Sequence, residues 1–322
     1  MEYRTLGKTG IKVSSLCFGT MSFGGNADEE TSKAMFKRCR EAGINFFDCA
    51  NVYNKGVSEE ILGRCIADSR DDLVLTTKVN GPTGTDVNNR GLSRRHIMLE
   101  VEKSLKRLNT DRVEFYFVHA FDPATPIEET LRAMDDLQRQ GKILYPAVSN
   151  WAAWQIATSL GISYKESLAR FECIQPMYNL VKRQAEVEIL PLAESENMGV
   201  ITYSPLGGGL LTGKYAGGKK PEQGRLVEQK NYEKRYADAA YFETADRFAQ
   251  YAKDKGHHPA SLAVSWVMAH PGVTAPIIGA RNLEQLEPSL GALDIQMTSE
   301  WRQEISDLSI TPPPTTDRSE EV

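Results

Sequence analysis

Along the chain, short runs of about four to six consecutive apolar residues alternate with longer stretches in which apolar residues recur every three or four positions. The first pattern predicts buried strands, and the second predicts helices that lay one face against them. Strands are expected over residues 16–18, 45–48, 73–78, 113–119, 144–148, 171–175, 200–203 and 275–278. Helices are expected over 30–42, 58–66, 93–108, 127–140, 151–160, 186–196, 241–255 with 259–269, and 283–290. Successive strands start about thirty residues apart over much of the chain, the length that a strand and its crossover helix need. Eight such units in a row predict an α/β fold of the (β/α)8 TIM barrel class. Residues 3–6 and 11–13 flank a turn bracketed by Gly7 and Gly10, which reads as an N-terminal β-hairpin capping one end. A C-terminal helix is expected over 299–308.

Two connections are long for this scheme. Residues 80–92 are rich in Gly, Asn, Thr and Asp, and residues 205–235 carry Gly207, Gly208, Gly209, Gly213, Gly217, Gly218 and Gly224. Glycine at that density lets the backbone bend closely around a ligand or move as a lid. Residues 217–230 read as a disordered surface loop. The prolines at 312–314 cannot continue a helix, so 311–322 is expected to be a disordered tail beyond a single barrel domain over 1–310.

Composition narrows the function more than the fold. Of the 322 residues, 41% are hydrophobic and 25% charged, which is ordinary globular usage and enough for a sizeable core. A net charge of -5 lacks the basic excess of a nucleic-acid binder. No apolar run has the length of a signal peptide or a membrane span, so a cytoplasmic location is expected, with no nucleic acid or membrane as partner. Composition does not set an oligomeric state. Cys17, Cys39, Cys49, Cys65 and Cys173 form no Cys-x-x-Cys pair and read as reduced thiols.

Three successive strands end on groups that can move or hold a proton. The second delivers Asp48, with Tyr53 one short turn later; the third delivers Lys78; the fourth delivers His119. In a closed parallel barrel those exits share one face, the face on which barrel enzymes do their chemistry. A phenol is a poor acid near neutrality, with a reference pKa of about 10. A neighbouring ammonium favours the phenolate, so Lys78 could make Tyr53 a better proton donor while Asp48 holds Lys78 in place. His119 could hydrogen-bond a substrate oxygen or assist the proton relay. The set suits a carbonyl that gains hydride at carbon and a proton at oxygen. Taken singly, each is an ordinary residue: a capping acid, a solvated lysine, a packed tyrosine.

Together with their neighbours they resemble the aldo-keto reductases, and the match covers nearly all of the chain. It runs through Gly19-Thr20-Met21, Phe47-Asp48-Cys49-Ala50-Asn51-Val52-Tyr53, Ser58-Glu59-Glu60-Ile61-Leu62-Gly63, Thr77-Lys78 and Phe117-Val118-His119. It continues through Val148-Ser149-Asn150-Trp151, Gln175-Pro176-Met177-Tyr178-Asn179, Tyr203-Ser204-Pro205-Leu206 and Ile278-Gly279-Ala280-Arg281. The resemblance implies that Asp48, Tyr53, Lys78 and His119 are the catalytic tetrad, with Tyr53 as general acid toward a small-molecule carbonyl. It implies NADPH/NADP+ as cofactor, extended over the barrel mouth. Ser149, Asn150 and Gln175 would hydrogen-bond the carboxamide and Tyr203 would stack on the nicotinamide. Ser204, Leu206, Gly208 and Lys214 would fold over the pyrophosphate, beside Gly19, Thr20, Met21 and Gly279. Arg281 and Gln285 would meet the 2′-phosphate end, so NADPH is expected in preference to NADH. Phe121, Trp151 and Tyr232 are candidates for the substrate pocket, with Met21 beside them; each could equally be loop packing.

The chain also departs from the family pattern. Cys49 stands where Thr or Ser is common, as a thiol that is either packed or open to oxidation. Pro146 falls inside the fifth strand, where a missing N–H should weaken the ladder. Pro288 and Ser289 replace an acid and an Asn at the adenine. Two other functions compete: a cofactor-binding regulatory subunit like the potassium-channel β subunits, which share this resemblance, and a metal-dependent barrel hydrolase, which the lack of a His-x-His pair after the first strand disfavours.

Overall fold

The chain opens on an antiparallel hairpin, β1 (Tyr3–Thr5) with β2 (Lys12–Ser14), in a computed structural model that describes residues 1–219, 221–222 and 224–316. Eight parallel strands follow: β3 (Cys17–Gly19), β4 (Phe46–Asp48), β5 (Val74–Val79), β6 (Val113–Val118), β7 (Ile143–Ser149), β8 (Cys173–Gln175), β9 (Gly199–Thr202) and β10 (Ala275–Ile278). They close in the order β10-β3-β4-β5-β6-β7-β8-β9. Every expected strand is present, with its ends within two residues of the expected ones.

Helices return the chain between them: α1 (Glu29–Glu41), α2 (Val57–Ile66), α3 (Arg94–Leu108), α4 (Ile127–Arg139), α5 (Ala153–Glu166) and α6 (Ile189–Ser195). After β9 come α7 (Arg225–Glu228), α8 (Lys230–Arg235), α9 (Ala239–Asp254) and α10 (Pro259–Met268). After β10 come α11 (Leu283–Leu290) and α12 (Ser299–Ser306). Their starts are capped as the side chains predict: Asp28, Ser93, Asp238, Asn282 and Thr298 each accept a backbone N–H of the first turn.

Strand alternation sorts the core into two layers. Phe115 and Phe117 of β6 point into the barrel with Cys17, Phe46, Val74, Cys173 and Ile201, while Tyr116 and Val118 face the surrounding helices. Small residues among large ones, such as Cys17, Ala147 and Ala275, let eight strands fill the interior without a pore. The hairpin plugs the far end with Leu6 and Val13, both fully buried. Gly7 there has a positive φ of 55°, and a Cβ on it would lie 2.5 Å from the backbone nitrogen of Gly199, so only glycine seats the cap against β9.

Three expectations change. α5 runs six residues past its expected end at 160, because Ile156, Ser159 and Ser163 keep a buried face that outweighs the roughly 1 kcal/mol penalty of Gly161. Pro146 does sit inside β7, yet its carbonyl accepts from Glu172 on the β8 side, where pairing begins only at Cys173. A residue's N–H points the same way as its carbonyl, so the missing donor falls below the ladder. The stretch 217–230 is not structureless: α7 and the start of α8 lie in it, although Lys220 and Gln223 are outside the described residues. In the expected tail, residues 311–316 have no regular structure and Asp317–Val322 lie outside the described residues. Among the described residues no helix is long and apolar enough to cross a membrane.

Candidate active site

Parallel register sets Gly19 beside Asp48, Asp48 beside Thr76, and Lys78 beside Phe117, so the exits of β3 to β6 deliver their last residues to one place. Lys78 is fully buried, and its Nζ donates to Oδ1 and Oδ2 of Asp48 at 2.7 and 2.6 Å and to the Cys49 carbonyl at 2.7 Å. Thr76 Oγ1 and Gln175 Nε2 donate to the same Oδ1 at 2.6 and 3.0 Å. A buried ion pair persists only when further hydrogen bonds satisfy its remaining atoms, and these supply them. Burial alone would lower the Lys78 ammonium, but the charge of Asp48 and the neighbouring Tyr53 lift it above its ordinary value. The lysine is a fixed cation.

Tyr53 opens the turn Tyr53–Gly56 after β4. Its hydroxyl lies 3.4 Å from Lys78 Nζ, which stands 5.1 Å above the ring centroid. The turn is stiffened by Asn54 and Lys55, both left-handed at φ 47° and 58°, and the Asn54 amide donates to the carbonyls of Met21 and Phe23. Burial pushes Tyr53 up to about 12; Lys78 acts in the expected lowering direction and is outweighed. The phenol is therefore fully protonated at pH 7, and a weaker acid than a free tyrosine. His119 meets the Tyr53 ring edge to face, with centroids 6.0 Å apart. Burial, with the Lys78 charge, pushes its imidazole down to about 4, so it stands neutral at pH 7 and can offer a hydrogen bond but no imidazolium proton.

Ser149, Asn150, Gln175 and Tyr203 form a connected rim. Ser149 Oγ donates to the Gln175 carbonyl at 2.8 Å, Asn150 Nδ2 to the His119 carbonyl at 2.9 Å, and Tyr203 Oη to Asn150 Oδ1 at 2.7 Å. Asn150 and Ser204 hold left-handed backbones, φ 56° and 58°, of the kind that collect at binding sites. Thr20 is wholly buried with its hydroxyl donating to the Asp48 carbonyl, while Gly19 and Met21 are partly exposed.

Across the mouth the insertion after β9 folds over itself. Gly207, Gly208 and Gly209 all have positive φ, and Leu206 starts the turn. Lys214 lies against them, its Nζ 3.1 Å from where a Gly209 Cβ would stand. Burial lowers the Lys214 ammonium, and the positive charges of Arg281 and Arg225 lower it further. Arg281 follows β10 and Gly279, with its backbone N–H on Gln285 Oε1 at 3.3 Å. Lys214, Arg225 and Arg281 thus gather with Glu228 as the neighbouring acid, over a glycine-lined turn. That donor set fits the phosphates of a dinucleotide.

Phe121 and Trp151 pack edge to face at 5.1 Å, and Trp151 also borders a cavity of about 200 Å³ with Asn150, Met177, Lys182 and Tyr203. Tyr232 covers Gly208 on the insertion side, between Arg225 at 5.4 Å and Arg235 at 4.9 Å from its ring, and lies near enough to Tyr203 for the two phenols to act on one another. Cys49 is fully buried against Ser58 Oγ at 3.2 Å and pushed up to about 12 by burial, which makes it a packed thiol. Ser289 lies on the buried face of α11.

Several residues of this site went unnoticed in the sequence. Thr76 and Glu100 look like ordinary strand and helix positions, yet Glu100 is fully buried and accepts from Asn51 Nδ2 at 2.9 Å, holding the turn that carries Tyr53. An acid on the apolar stripe of α3 was the available signal. Arg225 and Glu228 lay in a stretch read as disordered, and their clue was the helical start after Gly224.

Comparison with known proteins shows the family. A model of the aldo/keto reductase family matches residues 15–310. An uncharacterized oxidoreductase, YrpG, of Bacillus subtilis (strain 168) is 37% identical over 96% of this chain and 96% of its own. A probable voltage-gated potassium channel subunit beta of Oryza sativa subsp. japonica is 38% identical over 92% of each chain. A similar probable subunit of Arabidopsis thaliana is also 38% identical over 92% of each. With a closed eight-stranded barrel, strand-end acid, lysine and tyrosine in contact, and family similarity along nearly the whole length, the chain belongs to the aldo/keto reductase family of oxidoreductases.

Proposed function

We propose that the protein is an NADPH-dependent reductase of aldehydes or ketones, with Tyr53 as the general acid. The observation that carries this is the buried Asp48–Lys78 pair with its ammonium 3.4 Å from the Tyr53 hydroxyl at the barrel mouth. A nicotinamide held at this mouth would supply the hydride that the carbonyl carbon receives. Tyr53 gives its Oη proton to the carbonyl oxygen as negative charge develops there, and Lys78 stabilises the phenolate left behind. Asp48 keeps Lys78 charged and aimed. Neutral His119 donates a hydrogen bond to the same oxygen. Ser149, Asn150 and Gln175 would hold the carboxamide; because the Gln175 amide nitrogen is engaged by Asp48, its oxygen is the atom free for that contact. Tyr203 would stack on the ring. Lys214 and Arg225 would meet the pyrophosphate, and Arg281 the 2′-phosphate.

Removing the acid alone tests this directly. Tyr53→Phe should lower turnover on a panel of aldehydes by about 10²- to 10⁴-fold while NADPH affinity stays near that of the wild type. Near-normal turnover in that variant would show Tyr53 is not the acid. A second reading, a cofactor-binding regulatory subunit, is favoured by the similarity to probable channel β subunits. It predicts NADPH binding by the purified wild type with little aldehyde reduction at any pH.

A further inference from the structure

We propose that Glu228 sets how sharply the site separates NADPH from NADH, by occupying the guanidinium edge of Arg281 that would otherwise receive the 2′-phosphate. This rests on the assignment of Arg281 to that phosphate made above. Glu228 is the last residue of α7, in the insertion after β9, and Arg281 lies 53 residues further on, at the exit of β10. Both terminal nitrogens of Arg281 engage the Glu228 carboxylate, Nη1 reaching Oε1 at 3.3 Å and Nη2 pairing with Oε2. That two-point edge is the one a guanidinium presents to carboxylate and to phosphate alike. Carboxylate and phosphate compete for it.

The surroundings explain why a carboxylate belongs there. Arg281 and Arg225 stand close enough to Lys214 for their charges to act on it, and Glu228 offsets that repulsion. A phosphate monoester carries about two negative charges and can replace the single charge of the acid. The unphosphorylated ribose of NADH brings no anion to this point. Its hydroxyls can instead be accepted by an acidic side chain, the role an Asp or Glu plays in other dinucleotide sites. Admitting NADPH therefore breaks the Arg281–Glu228 pair, whereas admitting NADH leaves it intact. The pair is half-exposed, with side chains 19% and 35% accessible, which sets its competition at about two- to five-fold in affinity.

Titration of NADPH and of NADH into wild type, Glu228→Gln, Glu228→Ala and Arg281→Ala, each first checked for native circular dichroism, tests the proposal. Either Glu228 variant should bind NADPH about two to five times more tightly and NADH no more tightly than wild type. Unchanged or weaker NADPH binding in both Glu228 variants, with NADPH weakened by Arg281→Ala, would overturn the competition while leaving the phosphate assignment standing. Equal weakening of both cofactors on loss of Glu228 would overturn it too, since the pair would then be clamping the insertion over the bound nucleotide. If Arg281→Ala leaves NADPH binding unaltered, the phosphate assignment itself fails, and the inference with it.

Discussion

Two ion pairs stand at the mouth of this barrel, and they differ in almost every physical respect. Asp48–Lys78 is 3% and 0% exposed, is carried by adjacent parallel strands, and has its spare lone pairs filled by Thr76 and Gln175. Arg281–Glu228 is 19% and 35% exposed, and one partner rides on a four-residue helix in a glycine-rich insertion. The first pair cannot open without stranding a charge in the core. An anion from solution can replace the second. Under the proposed function, the part that must not change from one turnover to the next is built on strand ends, and the part that must make and break is built on surface charge.

Breaking the inner pair should give the largest effect. Lys78→Met strands the Asp48 carboxylate and should cost about 3–5 kcal/mol of stability, with a severe loss of turnover, because the phenolate of Tyr53 loses its cation. Asp48→Asn should be milder in rate, acting through misplacement of Lys78. A denaturant midpoint unchanged by Lys78→Met would dissolve the distinction between the two ends. At the outer end, Arg281→Ala should weaken NADPH about ten- to a hundred-fold and barely alter NADH, with wild-type stability. Equal losses for both cofactors would mean that Arg281 recognises something other than the 2′-phosphate.

Acid should also discriminate between the ends. Burial holds His119 and His270 down at about 4, below the ordinary 6.5, so the unfolded chain binds more protons between those values. Stability is then fully present above about pH 6.5 and falls as pH drops toward 4. His119→Gln should make that fall in melting temperature shallower, whereas Arg281→Ala should leave its slope as it is. A pH-independent melting temperature through this window would contradict the burial of both imidazoles. The smallest effect should come from ending the chain after Ile310: stability should stay within about 0.5 kcal/mol, since residues 311–316 are only partly covered.

How much of this was legible in the sequence follows the same division. All eight strands and the positions of Asp48, Lys78 and His119 could be read because a strand end is marked twice, by an apolar run and by the polar residue that stops it. Tyr53 was legible because one turn separates it from Asp48. Burial was the part that did not show: a tyrosine beside a lysine suggests an acidified phenol, and only the depth of the site reverses the sign to about 12. Glu228 and Arg225 were lost among glycines, since a four-residue helix has too few turns to leave a periodic trace. Gly161 misled in the opposite sense, because packing of α5 on the barrel overrides its local preference.

The five cysteines carry a consequence for a protein whose expected substrates are themselves electrophiles. Cys17, Cys39, Cys49 and Cys173 are buried, Cys65 is partly so, and burial pushes every one of them above the ordinary 9.0. Reactive carbonyls alkylate thiolates and leave thiols largely alone. At neutral pH the chain displays no thiolate to solvent, so a conjugated aldehyde drawn to the barrel mouth meets no nucleophilic sulfur on the way.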